Sequence, residues 1–452
     1  MQSRRDQAHA QSYLLGRLTA GLVTGELDQS ESPHRRAITG LVAGVLVAAL
    51  VAGGFTVYGL FVPGGATSWR KSGTVVVEKE TGTRYLYAQG RLRPVLNYAS
   101  AKLLLGDQLT VKSVAGGSLA GVPHGLPVGI VGAPDGLPTR GIGNTWWTAC
   151  APVSDGRTAL TVEIGDSPAG TPLDAGHALP VSSGGASYVI WDGHRYRLSE
   201  SWVSAVLGYT GAAVEVPPAW LDLMPAGPDL GPLDVPGRGS PGPAADGAPT
   251  RVGQLFTAGD DRWYVLRADG LSRLTSTAYA LLAGDPKTAL AYPDGVVTAT
   301  RISPAALARI AASTTAAPGA DLPAAFPAAA PSAGITWCVQ NSPTEQTRLV
   351  AAGAVPALNV TRAGVGLTRE ARTADAVAVE PGLGGLAVAG RRDEAPGSTY
   401  YLVTDAGTKY PLAGAAVAKT LGYSPDAAIV ISPDLLDLLP TGPLLDPARV
   451  VG

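Results

Sequence analysis

The chain has 452 residues, a formal net charge of −2 and only 15% charged residues. That balance gives no bulk electrostatic reason to expect nucleic acid or an anionic surface as a partner. With 58 Gly and 37 Pro the chain is loop-rich, and its length exceeds one comfortable core, so several modules are expected.

Residues 1–36 form a short tail. Leu14, Leu15, Leu18 and Leu22 fall on one face of a helix. Such a face suits a partner, and it equally suits a helix lying at a membrane surface with no protein partner. Ala37–Val62 follows, 26 residues without a charged side chain. As a helix it spans about 39 Å, more than the ~30 Å hydrocarbon core of a bilayer. A core helix of this length normally keeps a polar stripe, and none is present. A cleaved signal peptide is disfavoured because 36 residues precede the run. The reading is a signal-anchor with one crossing. Arg35 and Arg36 favour a cytoplasmic N-terminus, although Arg17, Arg35 and Arg36 before the span only tie with Arg70, Lys71 and Lys79 after it.

Beyond the span, four segments share one plan: Tyr85–Val95, Tyr188–Leu198, Trp263–Leu274 and Tyr400–Leu412. Each reads as a β-hairpin with a glycine turn and basic residues on its second strand. Asp192-Gly193 and Asp269-Gly270 are strong turn signals. A helix of about nine residues follows, ending at Gly106, Gly208, Gly284 or Gly422; a left-handed terminal glycine explains this placement. Ser199 is the expected N-cap of the second helix. A short strand comes next, Ala213–Val216, Ala289–Tyr292 or Ala427–Ile431. A shorter helix closes the unit, at Ala219–Pro225, Pro304–Ile310 and Pro433–Pro440. The copies are placed at 70–129, 186–230, 252–310 and 398–452. One copy is too small to bury much alone, so copies must pack together.

Only a Pro/Gly linker, 231–251, joins the second copy to the third. Two longer inserts, 130–185 and 311–397, separate the other neighbours. Each insert carries one cysteine behind tryptophan, Cys150 and Cys338. Both run into strand-like stretches, Thr158–Ile164 in one, Arg348–Ala354 and Ala376–Glu380 in the other. The Ala/Pro run Thr314–Ala333 reads as a flexible excursion. The fold class is therefore α+β. A single transmembrane helix leads into an elongated region of four α/β repeats around a central, mainly-β core with pseudo-twofold symmetry. A Cys150–Cys338 disulfide would close a loop of about 190 residues and contribute up to about 5 kcal/mol. Two buried thiols are the alternative.

No catalytic constellation stands out. Ala413–Thr420 approaches a phosphate-binding loop, but the two required glycines are Ala413 and Ala418. Gly382–Ala387 loosely resembles a dinucleotide loop and leads into no helix. The five histidines are scattered away from the cysteines, so no zinc site is expected. Arg93, Arg195, Arg197, Arg273 and Lys409 are either a ligand surface or the solvated face of edge hairpins. No catalytic, metal or cofactor-binding residues are assigned, and the reading leans away from an enzyme.

The chain resembles the EccB family, a membrane component of the type VII (ESX-type) secretion system of actinobacteria. The resemblance rests on the tail Ser12–Val23, the span Ala37–Val62, and Gly73–Val77 with Arg91–Gly106. The four repeats and the two Trp–Cys inserts add to it. It implies a cytoplasmic tail, a single pass through the inner membrane and periplasmic repeats. It also implies assembly with EccC, EccD and EccE, homo-oligomer formation and contact with peptidoglycan as further expectations. No cofactor is implied. The alternative is a periplasmic nucleotide hydrolase or a peptidoglycan-modifying protein.

Overall fold

The computed structural model describes residues 4–24, 33–61, 67–143, 145–154, 156–165, 170–211, 213–259, 261–342, 347–352, 366–391 and 397–450. They divide into two compact units, Met1–Pro94 with Thr110–Gly125 and Val95–Leu109 with Leu126–Gly452.

The first unit opens with helices α1 (Arg4–Thr24) and α2 (Pro33–Phe61). Within α2, Ala37–Gly59 is long and apolar enough to cross a membrane. A helix bonds its own backbone groups internally, as lipid requires. Val62, the end of the expected span, lies outside the described residues. On α1, Leu14, Leu15, Leu18 and Leu22 are all exposed.

Sheet I, also in the first unit, is a meander of Thr74–Glu78, Arg84–Ala88 and Arg91–Pro94. A fourth strand, Thr110–Val114, lies parallel to the first. The second unit repeats this strand order three times. Sheet II has His177–Ser183, Ala186–Trp191 and His194–Leu198, with Val214–Glu215 returning parallel to the first. Sheet III has Leu255–Thr257, Trp263–Arg267 and Gly270–Leu274, with Thr300–Arg301 returning. Sheet IV has Gly385–Ala389, Tyr400–Val403 and Lys409–Pro411, with Ile429–Ile431 returning. A parallel return needs a crossover longer than a tight turn. In sheets II to IV the crossover carries α4 (Ser201–Val206), α6 (Ser276–Gly284) and α8 (Ala415–Leu421). α3 (Tyr98–Leu105) belongs to the second unit and packs against α8. Short helices starting on proline follow the return strands: α5 (Pro218–Leu221), α7 (Pro304–Arg309) and α9 (Pro433–Leu436). Proline fits a first helical position, where its missing N–H is no loss.

Several local expectations change. Ser199 does not cap α4; its hydroxyl donates to the Leu230 carbonyl at 3.2 Å, and Glu200 holds the cap position. Residues 286–291 form a 3₁₀ helix, so the return strand of sheet III lies later in the chain, at Thr300–Arg301. Asp192 and Gly193 both adopt positive φ, as a type I′ turn demands. In sheet III the turn is Ala268-Asp269, because Arg267 pairs with Gly270. Gly270 instead gives way to a neighbour: a Cβ there would strike the Ala311 carbonyl. Gly284 is likewise a packing glycine, since a Cβ would meet Trp202 and Val206 of α4. The first strands of sheets II and IV begin at His177 and Gly385, inside the stretches read as inserts.

Neither of the two stretches expected to be loose is bare chain. The 231–251 linker folds Pro241–Ala245 against Ala248–Arg251, turning at Asp246-Gly247 with positive φ at both. Its Arg238 forms a buried ion pair with Asp285 at 2.6 Å. The run Thr314–Ala333, read as an excursion, is a strap. Ala328–Ala329 pairs with His177–Ala178, the Tyr209 hydroxyl donates to the Pro327 carbonyl at 2.8 Å, and Phe326 packs on Trp191 and Tyr196.

A further regularity follows each short helix or its equivalent. Pro123-His-Gly125, Pro225-Ala-Gly227 and Pro440-Thr-Gly442 each brace the third strand of a sheet. The proline carbonyl accepts from Leu92, Arg195 or Lys409, and the glycine N–H donates back to the same residue. In sheet III, Ala311 and Ser313 play these parts around Leu271.

Candidate functional site

The centre of the second unit is a six-stranded sheet in the order Ala376–Val379, Thr161–Gly165, Trp146–Cys150, Thr336–Asn341, Arg348–Ala352 and Thr171–Pro172. Its strands come from both inserts: each supplies an inner hairpin and one outer strand on the other's hairpin. The aromatic and β-branched residues of these strands suit a half-buried pleated surface. Trp147, Val162, Ile164, Trp337 and Val339 lie in one core with Trp220 of α5 and Leu435 of α9. The Trp220 indole N–H donates to the Ala149 carbonyl at 2.9 Å. Cys150 and Cys338 stand opposite each other where the two hairpins meet, with Cα atoms 4.0 Å apart, and are joined as a disulfide.

Charged side chains tie the ends of the short helices to the third strands of sheets II and IV and, through Arg372, to each other. Asp222 accepts from Arg195 and, at 3.0 Å, from Arg372. Arg372 also donates to Asp434 at 2.7 Å, and Arg391 lies 3.7 Å from the other oxygen of Asp434. Lys409 donates to the Leu436 carbonyl at 2.7 Å and pairs with Asp437 at 3.2 Å. Of the five basic residues on third strands, Arg195 and Lys409 are therefore structural. Arg197 and Arg273 are exposed on separate sheets, and Arg93 is half-buried on a third. The bridging role of Arg372 was not visible in the sequence, where no pattern links it to acids 150 and 62 residues away.

The other sequence candidates resolve into packing. Most of Ala413–Thr420 lies in α8, where no loop can cradle a phosphate. Gly382–Ala387 enters a strand; a Cβ at Gly384 would collide with Pro138 and the Val403 carbonyl. Among the described residues no three His, Cys, Asp or Glu side chains gather where a metal would sit. Groups with displaced pKa values are dispersed. Burial pushes Glu163 up; a hydrogen bond from His177 lowers Asp174; hydrogen bonds from Ser303 lower Asp246; and Ser313 lowers Asp269.

Comparison with known proteins fits this architecture. The family model described as type VII secretion system ESX-1, transport TM domain B, matches residues 1–451. The chain is 28% identical over 457 residues to the ESX-1 secretion system ATPase EccB1 of Mycolicibacterium smegmatis, covering 96% of this chain and 91% of that one. It is 26% identical over 306 residues to that organism's ESX-3 secretion system ATPase EccB3, covering 64% of this chain but only 58% of the relative. Among solved structures, a chain of an intact ESX-5 inner membrane complex superposes with a TM-score of 0.64 at 23% identity, covering 100% of this chain and 95% of that one. An EccB3 dimer from the ESX-3 core complex gives 0.60 at 21%, covering 84% and 99%. The family model runs along almost the whole chain, and the chain belongs to the EccB family of type VII secretion systems.

Proposed function

We propose that this chain is a structural, single-span subunit of a type VII secretion core complex in the inner membrane. Its N-terminal tail would be cytoplasmic and its sheets extracytoplasmic. It would assemble with EccC-, EccD- and EccE-type subunits and with copies of itself. The observation that carries this reading is the end-to-end fold match to a chain of an assembled ESX inner membrane complex, joined to α2, the one helix among the described residues long and apolar enough to cross a membrane. The body beyond the membrane is read as four repeats in two halves related by a pseudo-twofold axis. Support comes from the recurring strand order of sheets I to IV, the strand exchange in the central sheet, and the matching pairs Arg195–Asp222 and Lys409–Asp437.

The relatives are named ATPases. Here the stretch nearest to a phosphate loop is largely helix α8 and carries Ala413 and Ala418 in place of glycine. A scaffold is the better reading. The test is expression with the other core subunits and isolation of the membrane complex. Full-length protein should co-purify with them, and deletion of residues 1–24 should release them while the remainder stays folded. Nucleotide hydrolysis that follows the purified chain through a final column and is abolished by one point substitution would overturn the scaffold reading.

A further inference from the structure

Sheet III carries a groove that no part of the scaffold reading uses. Its volume is about 730 Å³, within the range that holds a drug-sized ligand or short peptide. Its floor is apolar, with Ala258, Ile302 and Leu307. Two guanidinium groups line it. Arg262 is held in place by its Nε donating to the Ala258 carbonyl at 2.9 Å, which leaves its terminal nitrogens available. Arg301 ends the edge strand of sheet III and meets no acid among the described residues. Among the described lining residues Asp246 is the one carboxylate, and it is occupied: the Ser303 hydroxyl donates at 2.6 Å and the Ser303 N–H at 3.0 Å.

We propose that this groove binds an acidic, partly apolar peptide segment. Two guanidinium forks beside an apolar floor suit carboxylates alternating with aliphatic side chains, because the fork matches a carboxylate bidentately. The two-residue edge strand Thr300–Arg301, with no further strand beside it among the described residues, also offers backbone groups to an extended chain.

The test uses the full chain in nanodiscs of zwitterionic lipid. The probe is a fluorescein-labelled octapeptide of alternating Leu and Glu, with its Leu/Gln counterpart as control, read by polarisation. The expected result is saturable binding of the Leu/Glu peptide alone. Arg262→Gln and Arg301→Gln should each weaken it about tenfold with unchanged melting temperature, whereas Arg197→Gln and Arg273→Gln should leave it alone. Absence of saturation, equal binding of the Leu/Gln peptide, or equal losses in all four variants would overturn the proposal. So would displacement of the peptide by phosphatidylglycerol vesicles whose capture depends on Arg301, since the ligand would then be lipid.

Discussion

Gly442 packs against the ring of Tyr410, so close that a Cβ on the glycine would collide with the ring's Cδ1 and Cε1. Gly227 stands in the same relation to Tyr196. Both tyrosines are buried on third strands, and both glycines belong to the Pro-x-Gly braces. Overpacking of this kind costs about 1–3 kcal/mol. Gly442→Ala is therefore expected to lower the unfolding free energy by that amount and shift the denaturation midpoint down with it, with Gly227→Ala following. An unchanged midpoint would show that the brace yields freely.

The disulfide gives a second expectation. Cys150→Ser should destabilise the chain by up to about 5 kcal/mol, and reductant should do the same to the wild type. Thiol titration of the denatured, unreduced protein should find no free cysteine.

Arg238 and Asp285 test the stretch that looked like a linker. Their side chains are 10% and 2% exposed. Asp285 also accepts from the Lys287 N–H at 2.9 Å at the start of the 3₁₀ helix. Arg238→Met strands a buried carboxylate, so a loss of about 3–5 kcal/mol is expected. A surface linker would give a loss near zero in the same denaturation experiment.

The strap over sheet II should loosen in alkali. Burial pushes the Tyr209 hydroxyl up to about 12 from an ordinary value of 10.0. The unfolded chain therefore ionises first. The contribution of Tyr209 to stability is whole below pH 10 and is lost as the pH climbs through 12. Tyr209→Phe should be less stable at neutral pH, with a shallower decline of melting temperature between pH 10 and 12.

Replacing Leu46 with Arg puts a charge in the middle of α2 at a cost of about 2.5–3.5 kcal/mol for insertion. The variant should become extractable by alkaline carbonate where the wild type stays in the membrane pellet.

Much of this architecture could be read from residue order. The apolar run, the recurring hairpins and the two Trp–Cys segments are local patterns with a local cause. What could not be read depended on partners far along the chain. Gly284 and Gly270 looked like terminators and turn formers, yet they are small because α4 and residue 311 press on them. Arg372 looked like any surface arginine until folding brought it between two short helices. The Asp246-Gly247 turn was legible by the rule applied at Asp192-Gly193, but the surrounding prolines and glycines masked it. The Pro-x-Gly braces were also there to be found, since the same three-residue pattern occurs at residues 123, 225 and 440.

The interleaving of the central sheet sets a timetable for synthesis. A ribosome delivers Trp146–Cys150 and Thr161–Gly165 long before Thr336–Asn341 and Ala376–Val379, the strands that flank them. An early hairpin with two unsatisfied edges and an unpaired cysteine must therefore wait for most of the chain to arrive. During that wait its exposed edges invite mispairing with another nascent copy, and Cys150 has no partner to close on until Cys338 arrives.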